Sequence, residues 1–137
     1  LGAADLLTSV LQAVVSGSVT GTPAALPASW HLVHGYLVGP GADLSGADLH
    51  GQKLAGFDLH GVALNGGSLA AADLHGADLT SSFWIGVSLV GADLRGATLT
   101  SADLSSSDLS RANLTGAAVS LHGHDEGALD RDGLPRR

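Results

Sequence analysis

A strict five-residue period dominates the sequence between Ala42 and Val119. Its first units read ADLSG at 42–46 and ADLHG at 47–51. Over sixteen consecutive units the third place holds leucine, except that Trp84 takes one of these places and Val119 closes the series. No residue is inserted or deleted along the way. A period kept over so long a stretch predicts a repeat architecture, which has to be interpreted before any local motif.

Neither a helix nor a strand gives this period a single buried face. Residues on a helix advance by about 100°, so leucines five apart would turn by about 140° per step and spread around the helix. Side chains on a strand alternate, so successive leucines would point to opposite faces. A chain that turns a corner every five residues closes a square after four units, and all its leucines then point to one axis. Stacking such squares buries a continuous core.

The repeated unit resembles the A-(D/N)-L-x-x motif of the pentapeptide-repeat family, and the resemblance extends from 42 to 119. It implies an all-β fold, the right-handed quadrilateral β-helix of that family. In this fold the central leucine and the small residue two places before it face inward, while the other three positions face outward. Sixteen units then make four coils, which form a rod about 19 Å long at about 4.8 Å per coil.

The chain divides into three parts on this basis. Residues 1–39 are interpreted as a degraded repeat coil or capping segment followed by a connector, residues 40–121 as the repeat β-helix, and residues 122–137 as a polar C-terminal tail. Three interpretations of residues 1–15 stay open: a repeat coil with leucine at 1, 6 and 11, a capping amphipathic helix, and the remnant of a secretory signal. Residues 20–44 are similar to connectors in some bacterial members of the family, with Trp30 and Tyr36 expected to cover the open end.

Composition narrows the functional classes. The chain has no cysteine, which excludes a disulfide framework and thiol chemistry. It contains no apolar run near the roughly 18 residues of a membrane span. The formal net charge is −7 and the sequence lacks a basic stripe, so we expect no direct nucleic-acid partner. Because the chain contains no methionine, we expect it to be a processed or partial piece of a longer product.

The segment SFWIG at 82–86 departs most from the repeat. Trp84 is in register for an inward leucine site, and Phe83 and Ile85 should then point outward, with Val90 on the neighbouring face. Clustered apolar residues on a polar rod suggest a contact surface, so Phe83, Trp84, Ile85 and Val90 are the candidate partner-contact residues. The alternative is a local bulge that turns one of these aromatic residues into the core. Two other departures, Gln52 and Phe57, are expected to meet irregular space beside the cap.

Four outward aspartates form two columns when the sequence is folded into coils of twenty residues. They are Asp58 with Asp78, and Asp73 with Asp93, about 4.8 Å apart. Some members of the family bind and block DNA gyrase by resembling duplex DNA, and these columns are where such mimicry would lie. Four coils make a short rod, however, and Lys53, Arg95 and Arg111 interrupt the acidic faces. DNA mimicry is therefore the second hypothesis.

Catalytic and metal-binding motifs are weak. No serine lies in a nucleophile elbow, and the outward aspartates lack the burial that tunes a general acid. His50, His60 and His75 fall on different sides of the coil, and the tail histidines form no defined ligand set. The sequence thus predicts no enzyme, cofactor or metal site. We expect a rigid spacer or protein-docking module within a larger assembly. Self-association through an open coil end or through the Phe83/Ile85 surface is compatible with the same pattern. A small metal binder or enzyme using the histidines is the third hypothesis.

Overall fold

The computed structural model describes residues 17–21 and 24–120, so the interpretations of residues 1–15 and of the 122–137 tail lie outside the described residues. The described chain contains four short strands and no helix. They are β1 (His31–Val33), β2 (Tyr36–Val38), β3 (Thr98–Thr100) and β4 (Ala118–Ser120). Within these ranges there is consequently no helix of the length and apolar character that crossing a membrane requires.

Parallel pairing with an offset of twenty residues builds the rod. Asp43 pairs with Ala63, Ala63 with Phe83, and Phe83 with Asp103. Strands β3 and β4 keep the same offset, with Thr98 opposite Ala118. Twenty residues are four units of five, as the square coil requires. The predicted quadrilateral β-helix is thus confirmed, with coils at 42–61, 62–81, 82–101 and 102–120.

Each coil contributes one ladder residue, the outward residue just before the leucine site, to each of four faces. The first face carries Asp43, Ala63, Phe83 and Asp103; the second carries Asp48, Ser68, Ser88 and Asp108; the third carries Lys53, Asp73, Asp93 and Asn113; and the fourth carries Asp58, Asp78, Thr98 and Ala118. These columns fix which side chains are neighbours along the rod although they are far apart in the sequence.

The corners explain why glycine often ends the unit. The N–H of Ala47 donates to the carbonyl of Leu44 at 2.8 Å, which closes a four-residue turn. Gly46, the third residue of that turn, has a φ of 74°, the left-handed value that a type II turn needs there. The N–H of Gly46 is free to pair with the next coil and donates to the carbonyl of Asn65 at 3.0 Å. One corner therefore both bends the chain and joins two coils.

We expect Ala71→Gly to stabilise the rod, because Ala71 adopts a φ of 56° at a corner where most units use glycine. A left-handed φ costs a non-glycine residue about 1–2 kcal/mol, and the larger unfolded-state entropy of glycine offsets about 0.4–1 kcal/mol of the relief. The net gain should lie between about zero and 1.6 kcal/mol, as measured by urea unfolding. The matched control, Gly76→Ala, should lose a similar amount, since a Cβ there meets no atom within 4 Å and the cost is conformational. An unchanged stability in the control would contradict this explanation.

The leucines form the core. Those at the third place of each unit from Leu44 to Leu114 are buried, as are most of the small residues two places before them. At the N-terminal end, β1 and β2 pair antiparallel, with His31 opposite Val38. Trp30 and Val38 are buried against the first coil, and Tyr36 packs half-buried beside them.

The two irregular inward residues of the first coil are accommodated in different ways. The ring of Phe57 stacks on His31 with centroids 3.9 Å apart. Gln52 is half-buried, and its amide donates to the carbonyl of His50 at 3.3 Å. The cap therefore covers Phe57, whereas Gln52 finds its hydrogen-bond partner within its own coil.

Candidate functional site

Phe83 and Ile85 are the two large hydrophobic side chains that stand exposed in the described part of the chain. Their exposed fractions are 50% and 43%. Val90 lies half-buried at the following corner of the same coil. We call these three residues the apolar patch. It occupies the third coil, on the first and second faces of a rod that is otherwise mostly polar outside.

Trp84 corrects the predicted contact set. Only 1% of this residue is exposed, because it takes the inward leucine site that the period assigns to it. It is therefore a core residue and does not contact a partner directly. The bulge alternative is also wrong: Phe83 pairs with both Ala63 and Asp103, and the N–H of Trp84 donates to the carbonyl of Asp103 at 2.8 Å. The ladder passes through this segment without interruption.

Two serines hold the backbone around Trp84. The buried hydroxyl of Ser82 donates to the carbonyl of Leu79 at 2.6 Å. Ser107, one coil above, donates its hydroxyl to the carbonyl of Trp84 and accepts the N–H of Val87 at 3.1 Å. The indole Nε1 of Trp84 is buried without a partner among the described residues, which costs roughly 1–3 kcal/mol. Ser107 could not be recognised from the repeat pattern, because serine at an inward small site looks like an ordinary substitute for alanine.

Asn65 fixes the other side of the patch. Its side-chain oxygen accepts the N–H of Ile85 at 2.9 Å from one coil below. The backbone on both sides of Trp84 is therefore tied to neighbouring coils, and Phe83 and Ile85 project from a fixed position. No local motif indicates this bond, since the two residues are twenty positions apart.

The predicted acidic columns exist, with Asp58 paired to Asp78 and Asp73 to Asp93. Each of these carboxylates also accepts the N–H of the residue two places on, as Asp78 does from Thr80 at 2.9 Å. Short polar side chains stabilise turns in this way. The aspartates therefore have a structural role at the corners, whether or not they also form a recognition surface.

Hydrogen bonding favours the charged form of Asp73, Asp78 and Asp93. The side-chain hydrogen bond with His75 is the main cause that lowers the pKa of Asp73 below its usual value. The corresponding bonds from Thr80 and Arg95 lower the pKa of Asp78 and of Asp93. Arg95 also pairs with Asp93 through two of its nitrogens, with an Nη2–Oδ2 distance of 2.6 Å. One of the four column charges is therefore already neutralised.

Three histidines of the rod each lie beside an aspartate of the same unit. Nδ1 of His50, His60 and His75 lies 2.7–2.8 Å from the carboxylate two residues earlier, on three different faces. Stacking nevertheless brings His75 together with Asp73 and Asp93, whose ligand atoms lie within 4.8 Å of one another. This group could not be recognised from the local sequence, because Asp93 comes from the next coil. A cation there would have to displace Arg95 from Asp93.

Comparison with known proteins agrees with this architecture. A sequence profile for pentapeptide repeats matches eight copies, over residues 42–80 and 85–116. The interruption falls where SFW replaces the ordinary repeat. No curated protein matches the chain.

Several solved structures are similar. A pentapeptide-repeat protein from the thylakoid lumen of Arabidopsis thaliana is 34% identical, with 69% of this chain and 68% of that chain covered and a TM-score of 0.55. Rfr23 from the cyanobacterium Cyanothece is 28% identical, with 61% of each chain covered and a TM-score of 0.36. QnrB1, a plasmid-mediated fluoroquinolone resistance protein, is 18% identical, with 66% and 65% covered and a TM-score of 0.29. The profile and the Arabidopsis structure together confirm the right-handed β-helical fold predicted from the repeat.

Proposed function

Because this chain belongs to the pentapeptide-repeat family, we propose that it is a rigid, non-enzymatic β-helical spacer that docks a protein partner on the apolar patch, within a larger assembly. The exposure of Phe83 and Ile85 carries this proposal. A cluster of exposed apolar side chains on a polar surface marks an interaction site. Trp84 supports the patch from the core and Val90 extends it to the next corner.

Rigidity makes this surface suited to docking. Phe83 and Ile85 flank a buried tryptophan, and the backbone between them is bonded to the coils above and below. A surface that is already ordered loses little conformational entropy on binding, so more of the contact energy contributes to affinity. The stacked coils also hold the patch at a fixed distance from both ends of the rod, as a spacer requires.

The electrostatics favour docking over catalysis. A carboxyl that acts as a general acid near neutral pH needs a raised pKa. The pKa of Asp43, Asp48, Asp73, Asp78, Asp93 and Asp108 is shifted the opposite way, chiefly by hydrogen bonds from the residue two places on. These carboxylates are suited to staying charged and capping corners.

Phe83→Ser is expected to leave the fold intact and to abolish partner capture. An exposed side chain away from structural features changes stability by about 0.5 kcal/mol or less, so the thermal unfolding midpoint should scarcely move. Capture from source-cell extracts, quantified by mass spectrometry, should lose the specific partner. Ala118→Ser on the fourth face is the matched control and should retain it. Loss of folding in Phe83→Ser, or unchanged capture, would contradict the docking proposal.

DNA mimicry is the second candidate, and the stacked aspartate pairs on the adjacent third and fourth faces are the observation that favours it. Each column holds only two carboxylates in succession. On the third face the aspartates lie between Lys53 and Asn113, and on the fourth face they are followed by Thr98 and Ala118. Arg95 further reduces the charge. This surface is therefore a weaker match to a continuous row of phosphates.

A gyrase supercoiling assay separates the two candidates. We expect no inhibition at high micromolar concentrations of the protein, because the acidic columns are short and partly neutralised. The comparison variant changes Asp58, Asp73, Asp78 and Asp93 to asparagine. Asparagine preserves the corner bond, as Asn113 accepts the N–H of Thr115 at 3.1 Å. Inhibition by the protein but not by this variant would favour mimicry over docking.

A further inference from the structure

We propose that the apolar patch selects a basic partner: a protein segment with an apolar anchor residue flanked on both sides by lysine or arginine. This inference rests on the proposed docking function and adds the chemistry of the partner. It follows from how charge is distributed along the two faces that carry the patch.

The first and second faces are neutral in the middle and acidic at both ends. The first coil contributes Asp43 and Asp48, the two middle coils contribute Ala63, Ser68, Phe83 and Ser88, and the fourth coil contributes Asp103 and Asp108. With about 4.8 Å per coil, the two pairs of carboxylates are about 14 Å apart. The apolar patch thus lies between two acidic ends.

The other two faces have a different arrangement. The third face carries its carboxylates in the two middle coils, at Asp73 and Asp93, between Lys53 and Asn113. The fourth face carries Asp58 and Asp78 in the first two coils and ends in the neutral Thr98 and Ala118, so neither face is acidic at both ends. Carboxylates at both ends of a neutral centre are therefore a property of the first and second faces and not of the repeat as such.

The four carboxylates at the ends of these faces are accessible, and hydrogen bonding favours the charged form of three of them. All four are exposed or half-buried. Hydrogen bonds from Ser45, His50 and Ser110 lower the pKa of Asp43, Asp48 and Asp108, respectively. Among the described residues, the imidazoles of His50 and His34 lie near Asp48, and Arg111 stands at the corner after the second face. The four carboxylates and the guanidinium carry a formal net charge of −3 around the patch.

This arrangement discriminates by charge. Burial of an apolar side chain against Phe83 and Ile85 would supply the contact energy, while the carboxylates at both ends attract basic groups and repel acidic ones. An arginine can also stack on an exposed phenylalanine ring. The 14 Å between the ends is the length of about four residues in an extended segment at roughly 3.3 Å per residue. A helix would need about nine residues at 1.5 Å per residue.

A random twelve-residue peptide library displayed on phage tests the inference. The full chain is the bait, and peptides that also bind Phe83→Ser are removed. We expect the remaining peptides to combine an apolar residue with lysine or arginine on both sides. If the peptides that depend on Phe83 are not enriched in lysine or arginine, the charge selection is overturned and the docking function is retained. Failure to recover any Phe83-dependent peptide would overturn the docking function itself.

Affinity measurements with a selected peptide test the position of the charges. Asp43→Asn/Asp103→Asn should weaken binding by about two- to fivefold per carboxylate at low salt, which is the range for exposed ion pairs. Asp73→Asn/Asp78→Asn removes the same charge from the other faces and should leave the Kd within about twofold, because those charges lie on the far side of the rod. Equal weakening by both pairs of substitutions would mean that only the net charge of the protein matters. It would overturn the proposal that the carboxylates at the two ends of the first and second faces select the partner.

Discussion

Deleting Gly76 alone is expected to abolish cooperative folding of the rod, whereas deleting the whole unit 72–76 should leave it folded. The single deletion shifts every later residue by one place, so Thr80, Ile85 and Arg95 would take the core sites of Leu79, Trp84 and Leu94. A buried, unpaired arginine costs several kcal/mol, a large part of the roughly 5–15 kcal/mol that stabilises a domain.

The five-residue deletion is the matched control, because it keeps all later leucines inward and loses about one leucine side chain of burial, roughly 1.5–3 kcal/mol. Circular dichroism during urea unfolding distinguishes the two variants. A sharp transition in both would mean that the corners absorb single deletions, and the strict five-residue period would then need another explanation.

Leu74→Ala should produce the largest loss of any single substitution in the leucine stack. Leu74 is fully buried, with Leu54 one coil below and Leu94 one coil above. Replacing a buried leucine by alanine costs about 2–5 kcal/mol, and the upper part of that range applies where the surroundings cannot collapse into the cavity. The regular backbone ladder on all four sides prevents such a collapse here. The free energy of unfolding from urea titration measures the effect.

Leu114→Ala is the comparison at the end of the described rod, where 5% of the residue is exposed. The last coil has more freedom to relax, so this variant should lose less than Leu74→Ala. Equal losses at both positions would indicate that the ends are packed as tightly as the centre, and a loss below about 1 kcal/mol at Leu74 would contradict a dry, rigid core.

The five-residue period predicted most of the fold because it specifies the same inward and outward choice in every unit. It therefore placed Phe83 and Ile85 outside and Trp84 inside, and it stacked Asp73 beneath Asp93. Grouping Trp84 with the contact residues was wrong, since a residue at the leucine site is buried whatever its neighbours do.

Contacts between coils were harder to predict. The bonds of Asn65 to Ile85 and of Ser107 to Trp84 depend on side-chain rotamers, which the period does not specify. The same is true of His75, whose approach to Asp93 across one coil has no signal in the local motif. The stacking of Phe57 on His31 depends on how the β1–β2 hairpin folds back, and the repeat carries no information about that segment.

Photo-crosslinking from the apolar patch tests the central claim, that binding takes place at Phe83 and its neighbours, most directly. Benzoyl-phenylalanine would replace Phe83 in one variant and Asn113, on the opposite face, in another. Both sites point outward, but the position 113 variant also loses the corner bond from Thr115, so a urea titration first establishes that each variant folds. Irradiation in source-cell extract should join a specific protein to the position 83 variant and not to the position 113 variant. Crosslinking of the same protein from position 113, with none from position 83, would contradict the account and move the binding surface to the acidic faces.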